Sequence, residues 1–176
     1  IGLYQLASEN VLDAAESFRG RIPAFPTGCA VAEVEIDPET GVVEIVAWTT
    51  IDDVGRAINP MIVEGQTHGG IAQGVGQAML ERLVYDPESG QALSGSFMDY
   101  AMPRADSLPS FTTLITEVPS PSNPLGVKPG SEGGTAPAPA VVANAIVDAL
   151  YELGVRHIEI PATSERIWNA IQVAKN

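Results

Sequence analysis

The sequence predicts an α+β domain: a mixed or antiparallel sheet with helices packed on one face. Three observations predict it. Residues Ala30 to Asp37 alternate strictly and the chain returns after a Pro/Gly turn, two long stretches carry helical spacing, and the elements run β-β-α-β-α-α without the regular alternation of a parallel α/β fold. At 176 residues and 45% hydrophobic content, residues 1–176 read as a single domain with a sizeable core.

Ile1 to Phe18 has the spacing of an amphipathic helix, with Leu3, Leu6, Val11 and Phe18 on one side and no clear starting cap. Because the first residue is Ile, residues 1–20 read as the remainder of a preceding region and the chain as part of a longer polypeptide. After a loop with Pro23 and Pro26, Ala32, Val34 and Ile36 alternate with Glu33, Glu35 and Asp37, which predicts a half-buried strand. Asp37-Pro-Glu-Thr-Gly41 is a turn, and Val42 to Ile51 returns as a second strand to close a hairpin. A helix is expected from about Met61 to Leu83. The same turn chemistry recurs in Asp86-Pro-Glu-Ser-Gly90, between Leu83-Val-Tyr85 and Ala92-Leu93, and predicts a second, short hairpin. Phe111 to Val118 is a further strand and the proline-rich 119–129 a loop. Thr135 then offers an N-cap to a helix from Ala138 to Leu153, with Val142, Ile146, Leu150 and Leu153 on one face and Gly154 as its stop. Thr163 to Val173 closes the chain as a helix with Ile167, Ala170 and Ile171 inward.

Several functional classes are disfavoured by composition. A formal charge of -13 with nine Lys and Arg and no basic run opposes binding to nucleic acid phosphates. With Cys29 as the one cysteine, no internal disulfide, Cys-rich zinc site or iron–sulfur cluster can be built from this chain. His68 and His157 lack ligand spacing and read as structural, so no metal ligand is assigned. Neither a membrane-length apolar run nor a signal-like opening is present in the sequence, and a cytoplasmic location is expected.

Two stretches carry chemical information. Gly126-Val-Lys-Pro-Gly-Ser-Glu132-Gly-Gly-Thr135 is a glycine-rich loop that delivers one carboxylate to the start of an apolar helix, and Glu132 is the only acidic residue between Glu117 and Asp148. The field of a helix N-terminus favours an ionised carboxylate, whereas apolar surroundings raise its pKa; either outcome suits a general base near neutral pH. A solvated glutamate beside an ordinary turn fits the same loop. The second stretch is the helix at 61–83, which holds Gly65, Gly69, Gly70, Gly74 and Gly76 although an interior glycine costs about 1 kcal/mol relative to alanine. At 100° per residue, Gln66, Gly69, Gly70, Gln73 and Gln77 share one side and Ile71, Val75, Ala78 and Met79 the other. A glycine and glutamine stripe suits a flat polar ligand; it suits equally a close helix–helix contact with buried glutamines.

Seven segments fall in the order of a known family: Ala32-Glu-Val-Glu-Ile-Asp37 with Thr40-Gly41; Asp53-Val-Gly55; Ile58-Asn-Pro60; Gly65-Gln-Thr-His-Gly-Gly-Ile-Ala-Gln-Gly-Val-Gly76; Asp99-Tyr-Ala-Met-Pro103; Gly126-Val-Lys128 with Glu132-Gly-Gly-Thr135; and Ile160-Pro-Ala162 with Glu165-Arg-Ile-Trp168. Over nearly its whole length the chain resembles the C-terminal part of the molybdenum-binding large subunit of the xanthine dehydrogenase, aldehyde oxidase and aerobic carbon monoxide dehydrogenase group. The resemblance implies a ββαβα-type cofactor-binding domain and a molybdopterin, often the cytosine dinucleotide form in bacteria, whose metal needs no protein side chain as ligand. It places Glu132 as the base that takes a proton from the metal's hydroxyl ligand, Gln66 as the glutamine contacting the pterin, and Gly69, Gly70 and Gln73 as adjoining contacts. Many members read Gly-x-Gly-Glu before the base where this chain reads Pro129-Gly130-Ser131-Glu132, so Gly130 and Ser131 are candidate contacts whose local shape differs; the serine hydroxyl is positioned in sequence to hydrogen-bond the carboxylate.

The resemblance also implies absent partners: several hundred residues on the N-terminal side of the same subunit, iron–sulfur and flavin (FAD) subunits or domains that remove electrons, and a small-molecule substrate. Two functions of different class stand at this point. One is a catalytic portion of a molybdenum oxidoreductase that hydroxylates an aldehyde or N-heterocycle or oxidises carbon monoxide, inactive when isolated. The other is a free-standing α+β module that binds a ligand or partner without redox activity.

Overall fold

The computed structural model describes residues 15–17 and 23–175. Most of the helix expected at Ile1 to Phe18 lies outside the described residues; Ala15, Glu16 and Ser17 are exposed and have no regular structure. Strands β1 (Thr27–Ile36) and β2 (Val43–Asp53) form the expected antiparallel hairpin. Its turn closes through Gly41 N–H to the Asp37 carbonyl at 2.8 Å, and the Asp37 side chain accepts from Glu39 N and Thr40 Oγ1. Gly41 adopts φ 72°, a left-handed conformation, and a Cβ there would strike the Ser164 carbonyl, so the turn both bends and docks on the last helix. Strand β3 (Phe111–Thr116) pairs with β2 in parallel, giving a mixed sheet in the order β1-β2-β3.

The alternation in β1 sends Ala30, Ala32, Val34 and Ile36 toward the core. Helices α1 (Pro60–Met79), α2 (Ala138–Ala149) and α3 (Ser164–Ala174) supply the rest of it, with Ile71, Val75 and Ala78, then Val142 and Ile146, then Ile167 and Ile171 buried around Trp48 and Ile45. Trp48 meets Phe111 edge-on at 6.3 Å between ring centroids. The observed order of elements is the expected one, and the α+β class holds.

Three local expectations are corrected. Helix α1 ends at Met79, not Leu83: Leu80 N–H and Glu81 N–H both turn to the Gly76 carbonyl, and Glu81 swings back to accept from the Tyr100 hydroxyl at 2.6 Å. Pro103 crosses the helix at Gly76, where a Cβ would meet it at 2.8 Å. Thr135 does not cap α2. The N-cap position is Pro137, without a side-chain hydrogen bond, and Pro139 in the first turn removes one of the N–H groups a cap would satisfy. Leu153 is not inward, because the helical face stops at Leu150 and the chain continues as a short 3₁₀ turn, Tyr151–Leu153, before Gly154. The second hairpin exists as a turn with a single bridge, Tyr85 to Ala92.

Candidate active site

Helix α1 starts where local chemistry dictates: Asn59 Oδ1 accepts from Ile62 N at 3.2 Å, and Pro60 occupies the first turn with its φ already helical. Its stripe of small residues divides into two uses. Gly70 and Gly74 face protein, since a Cβ on Gly70 would lie 2.8 Å from Thr135 N and one on Gly74 would lie 3.0 Å from the Thr135 carbonyl. Gly65 and Gly69 face outward with nothing within 4 Å of a Cβ position, alongside exposed Gln66 and Gln73. The glutamines are therefore surface groups on an open cradle, and the alternative of two buried glutamines in a helix contact does not apply to them.

The loop that carries Glu132 docks on this helix. Thr135, freed from capping, donates its hydroxyl toward the Gly70 carbonyl at 3.1 Å and Gln73 Oε1 at 3.2 Å. Gly134 lies so close to α1 that a Cβ would strike the Thr67 carbonyl and come within 2.6 Å of Ile71 N. The residues after Glu132 thus touch the helix at Thr67, Gly70, Ile71 and Gln73. Glu132 and Ser131 are both exposed, and among the described residues no hydrogen bond joins their side chains. Gly130 is turned to the protein, with a Cβ position 3.0 Å from Val54 Cγ1.

Two adjacent carboxylates at the end of β2 lie against the loop, and one of them, Asp53, bonds to it. Asp53 Oδ2 pairs with Lys128 Nζ at 2.6 Å, and its Oδ1 accepts from Gly55 N at 2.9 Å and Val118 N at 3.1 Å. The Lys128 hydrogen bond, followed by that from Gly55, holds the Asp53 carboxyl below the usual carboxylate range. Asp52, 6% exposed, lies beneath the loop, with Oδ1 3.4 Å from the Cβ position of Gly133. Burial pushes its carboxyl above the usual range, against a weaker opposing hydrogen bond from Thr50. The roles of Asp52, Asp53 and Lys128 escaped the sequence reading, although Lys128 is the one cation between Arg104 and Arg156 in a strongly acidic chain.

His68 Nε2 lies 2.8 Å from Thr113 Oγ1, and its ring packs edge-on against Phe111. Among the described residues no cluster of His, Cys, Asp or Glu is placed to hold a metal, and no helix is long and apolar enough to cross a membrane. A groove of about 840 Å³ runs between β2, the end of α1 and the start of α3, lined by Ile45, Val75, Met79, Leu108 and Thr163 among others, and includes neither Glu132 nor Gln66.

Residues 3–109 match the molybdopterin cofactor-binding domain family. The chain is 42% identical over 148 residues to the nicotine 6-hydroxylase large subunit of Paenarthrobacter nicotinovorans, covering 84% of this chain and 18% of that protein. It is 31% identical over 152 residues to the xanthine dehydrogenase molybdenum-binding subunit of Escherichia coli O157:H7, covering 86% of this chain and 20% of that one. Reconstituted CO dehydrogenase from Oligotropha carboxidovorans superposes with a TM-score of 0.80 at 36% identity over 85% of this chain and 18% of that chain. The chain thus spans about a fifth of the length of these relatives. With a mixed sheet, a glycine-rich helix and a matched sequence that includes both β1–β2 and the cradle, the chain belongs to the molybdopterin cofactor-binding domain family, as found in the large subunits of the xanthine dehydrogenase and carbon monoxide dehydrogenase group.

Proposed function

We propose that this chain forms one wall of the molybdopterin pocket of a molybdenum oxidoreductase and supplies its general base, Glu132. The observation that carries the reading is the junction of the Glu132 loop with α1, where Gly134 and Thr135 meet Thr67, Gly70 and Gln73. It joins a carboxylate-bearing loop to an open ridge of glycine and glutamine. The cradle fits the group: at Gly65 and Gly69 a flat ring system can approach helix backbone without meeting a Cβ, and the exposed amides of Gln66 and Gln73 stand on the same helix.

Each residue then has a defined task. Gln66 presents an amide able to donate and accept toward pterin nitrogens and carbonyls. Gln73 has its oxygen engaged by Thr135, which leaves its N–H₂ as a donor. Gly69 admits the ring edge, Gly70 seats the loop, and Gly130 and Ser131 shape the backbone before Glu132. Bound there, the molybdenum cofactor supplies the two-electron acceptor and the oxygen donor for hydroxylation of an aldehyde or N-heterocycle or for oxidation of carbon monoxide. Glu132 receives the proton released in that step, a role that its exposed, unpartnered side chain leaves open to it among the described residues.

The cytosine dinucleotide form of the cofactor, the iron–sulfur and flavin partners, the remaining N-terminal part of the subunit and a cytoplasmic location belong to the same proposal. A single wall cannot exclude water or retain the cofactor, so the isolated chain is expected to be inactive. The test is Glu132→Gln in the complete enzyme: molybdenum content should stay at the parent level while reduction by substrate slows by at least about a thousandfold. Reduction at the parent rate would remove Glu132 from this role.

A further inference from the structure

Glu132 has no side-chain hydrogen bond of its own among the described residues, so its place is set by what holds the loop on either side. On the far side the anchor is the α1 junction at Gly134 and Thr135. On the near side it is a part-buried ion pair. Lys128 and Asp53 side chains are 14% and 12% exposed, and their charged atoms meet at 2.6 Å. The backbone follows the same path: Lys128 N–H donates to the Val54 carbonyl at 2.9 Å, Arg56 N–H donates to the Gly126 carbonyl at 3.0 Å, and Gly55 bridges Val127. Asp53 also accepts from Val118 N, so one carboxylate gathers the end of β2, the end of β3 and the Glu132 loop. Between the two anchors lie residues 129–133, where Gly130 lies against Val54 and the Glu132 carbonyl accepts from Ala136 N–H at 3.1 Å, while the Glu132 side chain itself is exposed.

We propose that Lys128 and Asp53 are positioning residues for Glu132: their ion pair holds the loop in the geometry that presents its carboxylate to the reacting group. The inference rests on the reading of Glu132 as the base. Among the described residues no hydrogen bond or ion pair joins the pair to Gly65, Gln66 or Gly69, so its effect reaches the reaction through the loop.

The experiment uses the complete enzyme carrying Lys128→Met, Lys128→Arg, Asp53→Asn with Lys128→Met, Glu132→Gln, and Lys128→Met with Glu132→Gln. The paired neutral variant removes both charges while leaving an acceptor for Gly55 N and Val118 N, so no orphaned charge is buried. Single-turnover reduction by substrate is read as a limiting rate and a half-saturating concentration. Amide hydrogen exchange of the cofactor-free protein is read over residues 126–135. Lys128→Met and the paired variant should lower the limiting rate by about 10- to 100-fold, the range for an ångström-scale misplacement, with half-saturation unchanged. Lys128→Arg, which keeps the charge, should recover to within about threefold of the parent. Exchange should quicken over 126–135 and at its bridging partners Gly55 and Arg56 and not in the rest of the domain, and Lys128→Met should add nothing on the Glu132→Gln background.

A parental limiting rate in both neutralised variants would overturn the inference, as would an equal loss on the Glu132→Gln background. Loss of fold in every variant would overturn it too, since the pair would then hold the domain and not the loop. Failure of the base assignment is seen separately: Glu132→Gln would be reduced at the parent rate, whatever exchange reports for the loop.

Discussion

Gly69→Ala separates stability from function in a way few substitutions in this chain can. Gly69 lies inside α1, and a Cβ built there meets nothing within 4 Å. Replacing an interior helical glycine by alanine removes backbone freedom from the unfolded chain and should stabilise the fold by about 0.8–1 kcal/mol. The same methyl stands on the open ridge proposed to lie against the pterin. Forcing a methyl into a packed contact costs about 1–3 kcal/mol, which corresponds to roughly a 5- to 150-fold loss of cofactor affinity. The two effects have opposite signs and separate readouts. Urea unfolding of the chain should show a higher midpoint at unchanged m-value, and the complete enzyme should show a reduced molybdenum-to-protein ratio after gel filtration. A more stable variant that keeps its full molybdenum content would refute the placement of the pterin on this ridge. A less stable one would refute the description of Gly69 as open.

Gly134→Ala should act in the opposite sense. Its Cβ would strike the Thr67 carbonyl and crowd Ile71 N, both helix backbone that cannot swing aside, so unfolding should show a loss of about 2–3 kcal/mol. Asp52 gives a pH signature. Burial raises its native pKa above the unfolded value, so its proton is favoured by folding, and stability associated with this group is greatest below the ordinary carboxylate value and declines as pH rises through the raised one. Asp52→Asn should therefore gain stability relative to the parent as pH is taken from about 4 to 7 in urea titrations, and a difference that does not vary with pH would contradict this account.

What could be read from the sequence, and what could not, divides by the range of the interaction. Alternation in β1, the Asp37–Gly41 turn, the closing helix α3 and the order of elements depend on neighbours a few residues away, and each is where the sequence places it to within a residue or two. Parallel pairing of β2 with β3 depends on two segments separated by the whole of α1 and the second turn, and no local pattern encodes it. Thr135 shows how a correct local preference is redirected: threonine does find backbone and amide partners, but they lie on α1, because prolines at 137 and 139 already relieve the start of α2. The same division runs through the glycines of α1. A single helical projection assigns Gly69 and Gly70 to one stripe, yet Gly70 is covered by Thr135 while Gly69 is open, a distinction that only the docked loop creates. That loop is itself held across 75 residues by Asp53 and Lys128. Candidate chemistry at Glu132 and Gln66 could be named from residue types in order, whereas the anchors that decide whether they act together are long-range contacts and so had to be seen in three dimensions.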